Sequence, residues 1–221
     1  MNVLVISVHP DDETLGCGGT ILKHKKQNDD IYWLILTEPT EKLGYSKAFI
    51  DDRAKQIGEV SQAYQFNKTF HLRFPTTRLH TVDFSEIISK ISLVLKEVKP
   101  EVIYTVNRSD IHTDHQIAAK AIMSCTKSFR NPYIKRILMY ECISETEMAY
   151  PLPENMFIAN VYSDISDFLD KKIEIMKKYK SEVQEPPAPR SVENIRAIAR
   201  FRGATSSVHY AEAFMLVKEV F

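Results

Sequence analysis

The sequence predicts one α/β domain: a mostly parallel sheet with helices on both faces, with residues from about 143 to 221 forming a C-terminal cap region and the closing elements. Two observations lead there. Short apolar runs alternate with stretches of helical periodicity through the first two thirds of the chain, which is the rhythm of βαβ units. Several of those runs end in polar clusters, as strands do when a parallel sheet delivers side chains to a binding edge. A chain of 221 residues suffices for one domain with a full core.

Each element has its own warrant. VLVISV (3–8) is a continuous apolar run, short enough for a strand buried on both faces. A helix over 13–27 follows, then a second buried strand, DIYWLILTE (30–38). Residues 47–63 have helical spacing, and TFHLRF (69–74) reads as a short strand. FSEIISKISLVLKEVK (84–99) is the clearest amphipathic helix: Phe84, Ile87, Ile88, Ile91, Val94, Leu95 and Val98 share one stripe, and Pro100 stops it. EVIYTVN (101–107) is a strand, HTDHQIAAKAIMSCT (112–126) a helix and RILMYEC (136–142) a strand. Beyond these, 143–156 reads as loop, 157–165 as a strand, 167–183 as a charged, exposed helix and EPPAPR (185–190) as a break. Ser191 is a good N-cap for a helix over 191–204, and 213–221 closes as a strand or short helix.

Bulk composition excludes some functions. Lys+Arg and Asp+Glu both number 29, so the net charge is zero and general nucleic-acid affinity has no electrostatic basis. No apolar run approaches a membrane span. The start, MNVLVISVHPDD, enters a strand without the basic region of a signal peptide. Cys17, Cys125 and Cys142 are odd in number and widely spaced, which fits neither a disulfide framework nor a thiolate metal site and suits a reducing cytoplasm.

The chemistry concentrates at two strand ends. HPDDE (9–13) crowds one imidazole and three carboxylates after the first strand. Such acids repel and lose hydration on burial, so a cation or a basic ligand is expected among them. SDIHTDH (109–115) places His112 and His115 three apart at a helix start, with Asp110 and Asp114 beside them. Taken singly, HxxH is more often a satisfied core or surface pair, and an acidic run is more often a helix start exploiting the macrodipole. Together at one sheet edge they supply two imidazoles and a carboxylate, the ligand set of a catalytic zinc, with an imidazole and a carboxylate left over for acid–base work. A nucleotide-binding oxidoreductase is the alternative, on the glycine-rich turn and on Glu38 ending the second strand. Gly16, Gly18 and Gly19 do not match G-x-G-x-x-G, however, and Asp11, Asp12 and Glu13 would repel a pyrophosphate.

HPDDE followed about a hundred residues later by HTDH resembles the PIG-L/LmbE family of zinc-dependent sugar N-deacetylases. LGCGGTI after the first motif, Arg53 in the second helix and YAEAF (210–214) extend the likeness over most of the chain. The resemblance implies a Rossmann-like sheet, one Zn2+ or another divalent metal per chain, and a small N-acetylated sugar or sugar conjugate as substrate. It also implies a homo-oligomer. Carried over residue by residue, His9, Asp12 and His115 bind the metal and Asp11 is the general base. A protonated His112 polarises the amide carbonyl, and Asp114 orients the neighbouring histidine. A catalytically inactive sugar-binding member is a further alternative, against which the complete residue set argues. Arg53, Arg78 and Glu141 are expected substrate contacts; Arg190, His209 and Tyr210 are within reach from the cap, His209 reading more readily as a surface residue. Gln56 stands where many members have an acid three residues after the arginine, and FPTTRLH (74–80) lacks their sugar-binding Asp.

Overall fold

Strand β1 (Asn2–Ser7) takes the middle of the sheet because Val3, Leu4, Val5 and Ile6 leave it no side that can face water, and all four are fully buried. In the computed structural model, which describes residues 1–221, its neighbours are β2 (Asp30–Glu38) and β4 (Val102–Val106), both parallel to it. β3 (Lys68–Pro75) pairs with β2, and β5 (Arg136–Tyr140) with β4, again in parallel. The order β3-β2-β1-β4-β5 therefore reverses direction between β1 and β4. The crevice beyond the carboxyl ends of two such strands is where open α/β sheets bind ligands. HPDDE leaves β1 and SDIHTDH leaves β4, so adjacent strands deliver both motifs to that one crevice.

Four helices make the crossovers: α1 (Asp12–Lys26), α2 (Lys47–Tyr64), α3 (Phe84–Val98) and α4 (Thr113–Cys125). α3 packs on α4, while α1 packs on α2. α1 is broken at Cys17 (φ −145°, ψ 22°), where the sequence pattern predicts an unbroken helix. The break lets the glycines press close: a Cβ on Gly16 would sit 2.1 Å from the Tyr140 ring, and one on Gly19 2.6 Å from Ile165. A buried ion pair satisfies the groups it frees. Lys172 Nζ donates to the Leu15 carbonyl (2.9 Å), and Glu212 accepts the N–H groups of Gly19 (2.8 Å) and Thr20 (2.7 Å).

The last third does more than cap. β6 (Val161–Asp164) and β7 (Ala211–Glu219) extend the sheet antiparallel, in the order β5-β7-β6. The helix expected over 167–183 is shorter, α5 (Leu169–Met176), and it is not an exposed helix. It buries Leu169, Ile173, Ile175, Met176 and even Lys172, whose charge is matched by Glu212 on β7. α6 (Val192–Thr205) is N-capped by Ser191, whose side chain accepts the Asn194 N–H at 3.2 Å.

Candidate active site

The turn after β1 is held by its own acids. Asp12 Oδ2 accepts the backbone N–H of Val8 (2.9 Å) and of His9 (2.8 Å). Asp11 sits at φ 134°, ψ −29°, in backbone territory that normally favours glycine. Glu13 clamps that strained residue: its Oε2 accepts the Asp11 N–H at 3.1 Å, and its Oε1 accepts the hydroxyls of Thr14 (2.7 Å) and Tyr179 (2.8 Å). Burial pushes the Glu13 carboxyl up to about 7 against those hydrogen bonds. Arg53 Nη1 donates to the Pro10 carbonyl (3.1 Å), which ties α2 to the same turn.

On the neighbouring strand end, His112 is the N-cap of α4. Its Nδ1 accepts the Asp114 N–H at 3.1 Å, so Nδ1 is bare and the ring proton lies on Nε2. Burial first, and then His9 and His115 nearby, depress its pKa to about 4. His112 is therefore a neutral donor and not the protonated one expected from sequence. Three imidazoles share the site, with ring centroids 4.6 Å (His9–His112) and 5.3 Å (His112–His115) apart.

His115 Nδ1 lies 2.9 Å from Asp110 Oδ2, and its Nε2 lies 3.3 Å from His9 Nδ1 and 3.4 Å from Asp12 Oδ2. The Asp114 carboxylate reaches His9 Nε2 (3.3 Å) and accepts the N–H groups of Thr77 (2.7 Å) and Leu79 (2.9 Å). Asp114 thus orients His9, across the crevice, and only its backbone touches the neighbouring His112. The carboxylate behind His115 is Asp110, five residues earlier. That i−5 spacing is its only sequence signal.

These contacts test the site for a metal. His9, Asp12 and His115 each offer one ligand atom, and those atoms lie within 4.8 Å of one another. With Asp114 holding the far nitrogen of His9 and Asp110 that of His115, the two nitrogens that face each other are left to share a proton or a metal ion. Such a pair needs a cation between them. His9, His112 and Asp114 also converge, but both oxygens of Asp114 are already bonded, whereas Asp12 Oδ1 meets only the Cys142 thiol at 3.4 Å. The first group fits an ion better.

Asp11 supplies the remaining chemistry. Its Oδ2 accepts Arg190 Nη1 at 2.7 Å, while its Oδ1 is buried with no partner. Burial raises its pKa well above the usual carboxylate range, and Arg190 pulls the other way. Arg190 also meets Ser144, Glu182 and Glu145 at 2.9, 3.1 and 3.3 Å. His9, Asp11, His112, Thr76, Arg53 and Arg190 all line one cavity of about 250 Å³. Two expected substrate contacts do not reach it. Arg78 is exposed and does not line the cavity, in a turn whose Thr77 and Leu79 N–H groups are bound to Asp114, and Glu141 is locked to Arg202 by two hydrogen bonds (2.6 and 2.8 Å). Of the three cap residues considered, Arg190 lines the cavity and His209 and Tyr210 do not.

One pH dependence follows. Burial lowers the His115 pKa, but Asp12 and Asp110 outweigh it and hold the pKa near 9 in the metal-free chain, above the ordinary 6.5. The raised value means that this proton stabilises the folded metal-free chain fully below pH 6.5, and that the contribution is lost as pH rises through 9. A metal bound through His115 would have to displace that proton, so affinity for a divalent metal such as zinc is expected to rise about tenfold per pH unit between those limits, with proton release on binding. Chelator-competition titrations at about pH 6.5, 7.5 and 8.5 check this; a flat profile would place the proton elsewhere.

A β3-β2-β1-β4-β5 sheet whose switch point carries two imidazoles and a carboxylate that could hold a metal, with a second carboxylate nearby, has the form of a metal-dependent α/β hydrolase. Residues 4–126 match the PIG-L family, described as GlcNAc-PI de-N-acetylase, and the chain belongs to that family. The uncharacterized deacetylase YaiS of Escherichia coli is 26% identical over 185 residues, covering 81% of this chain and 90% of the relative. Diacetylchitobiose deacetylase of Thermococcus kodakarensis is 23% identical over 235 residues, covering 99% and 84%. Among solved structures, the conserved protein TT1542 of Thermus thermophilus superposes with a TM-score of 0.78 at 27% identity, covering 100% of this chain and 96% of that one. Glu145, Glu182 and Arg190 lie beyond the matched family segment, yet all three line the cavity.

Proposed function

We propose that this PIG-L chain hydrolyses the N-acetyl amide of an amino sugar or its conjugate, with one zinc ion held by His9, Asp12 and His115. The observation that carries this reading is the bare, buried Asp11 Oδ1 beside three converging ligand atoms. When bound, the ion polarises the amide carbonyl and makes water acidic enough to be deprotonated near neutral pH. Asp11 Oδ1 takes the proton of the attacking water, and the same carboxyl delivers it to the amide nitrogen as the C–N bond breaks. Arg190, bonded to Oδ2, keeps Oδ1 turned to that task. His112 Nε2–H donates to the carbonyl oxygen as negative charge builds there, a neutral donor serving where a charged one was expected. Asp110 and Asp114 keep the lone pairs of His115 and His9 facing the ligand position. The products are acetate and a free amine.

No helix is long and apolar enough to cross a membrane, and the three cysteines are buried and unpaired, which supports a cytoplasmic enzyme. The test is metal analysis of the purified chain with an acetate-release screen over N-acetylated sugars. About one zinc per chain and acetate release are expected. A chain that has no measurable zinc affinity, or that holds zinc and releases acetate from none of the sugars, would overturn the reading. Size-exclusion chromatography of the same sample reports the oligomeric state, for which a homo-oligomer is expected.

A further inference from the structure

The cavity wall contributed by α2 is a ladder of residues four apart. Tyr45, just ahead of the helix, stacks on Phe49 with ring centroids 5.3 Å apart and planes 24° apart, and the Arg53 guanidinium lies 5.4 Å from the Phe49 ring centroid. Arg53 ends the ladder at the Pro10 carbonyl, on the turn that carries Asp11. All three line the cavity, where Tyr45 and Phe49 are the only aromatic rings besides the imidazoles of His9 and His112. Both rings keep part of their surface accessible. A flat apolar surface in a polar pocket matches the C–H face of a pyranose ring, which has few other ways to bury apolar area.

Charge in the cavity narrows the ligand further. Its two guanidiniums are already paired: Arg53 with Glu182, and Arg190 with Asp11, Glu145 and Glu182. No lysine lines it. Away from the metal position, an anionic group such as a phosphate would meet the carboxylates of Asp11, Glu145 and Glu182 and no unpaired side-chain cation.

We infer that the substrate is a neutral saccharide of at least two rings, whose second ring stacks on Tyr45 and Phe49 while the N-acetylated ring lies over Asp11 and His112. This rests on the N-deacetylase reading above, and the experiment separates the two. The zinc-loaded chain is assayed for acetate release from N-acetylglucosamine, N,N′-diacetylchitobiose and UDP-N-acetylglucosamine. Binding of the disaccharide is followed separately by ligand-observed NMR. The disaccharide is expected to exceed both others in kcat/KM by about tenfold or more, a gain of the size one aromatic contact provides. In Tyr45→Ala the disaccharide-to-monosaccharide ratio falls about tenfold, through KM, while Tyr45→Phe retains it. Phe49→Leu, which keeps apolar volume beside Arg53 but removes the flat face, gives the same fall. A preference for the monosaccharide or the phosphate-bearing sugar, or a ratio unmoved by Tyr45→Ala, overturns the inference and leaves the deacetylase reading intact. Disaccharide binding that depends on Tyr45, with no acetate released from any sugar, overturns the deacetylase reading and leaves the stacking surface standing.

Discussion

Asp11→Asn is expected to keep about one zinc per chain and to lower kcat by about 10²–10⁴, the range that a positioned general base contributes. Asparagine is nearly isosteric and tolerates the unusual backbone that Asp11 occupies, so the turn survives. Arg190 retains Glu145 and Glu182 as partners. The substitution also removes a buried carboxylate whose ionised form is disfavoured by desolvation, so thermal stability should hold or rise while activity collapses. Metal analysis, kcat and a melting curve on one preparation check all three. Loss of zinc would mean that Asp11 is a ligand and that its role is exchanged with that of Asp12.

The second large effect separates the two histidines of HTDH. His115→Ala is expected to weaken zinc binding by more than the roughly 10–100-fold typical of losing an outer partner, and activity goes with the metal. The substitution deletes a proposed ligand nitrogen and also leaves the Asp110 Oδ2 and Asp12 carboxylates facing each other without the intervening ring. His112→Ala should retain zinc and lose about 10²–10³ in kcat, the usual effect of one oxyanion donor. Its imidazole Nδ1 also caps α4, so a modest fall in melting temperature accompanies the loss. His112→Asn offers a side-chain oxygen for the cap without the Nε2 donor, and should restore the stability but not the rate. The opposite metal contents in the two alanine variants would reverse the histidine assignments.

Much of this was legible in the sequence because it was local. An apolar run such as VLVISV has one sensible placement in an α/β sheet, and the acids that end it stand out. What was hidden depends on partners far along the chain. The break at Cys17 is tolerable because Glu212 and Lys172, 193 and 157 residues from the groups they bond, satisfy what the break frees. Lys172 itself looked solvent-exposed for lack of any sign of Glu212. Arg190 sits in a proline-rich break from which the sequence lets it reach the pocket, but only the fold pairs it with Asp11. Glu141 ends a strand on the functional edge, yet Arg202 on α6 claims it. The neutrality of His112 follows from crowding that no linear spacing reports.

The position of β7 also bears on how the protein is made. β6 pairs only with β7, and β7, which follows it in the chain, lies between β6 and β5. While a nascent chain is emerging, β1 through β5 can assemble in order, but β6 must wait without a partner for the final strand to arrive and slot in beside it. Glu212, which secures the helix behind the HPDDE turn, travels on that same final strand. The turn that carries the candidate site is therefore encoded early, and the strand that steadies the helix behind it follows 193 residues later.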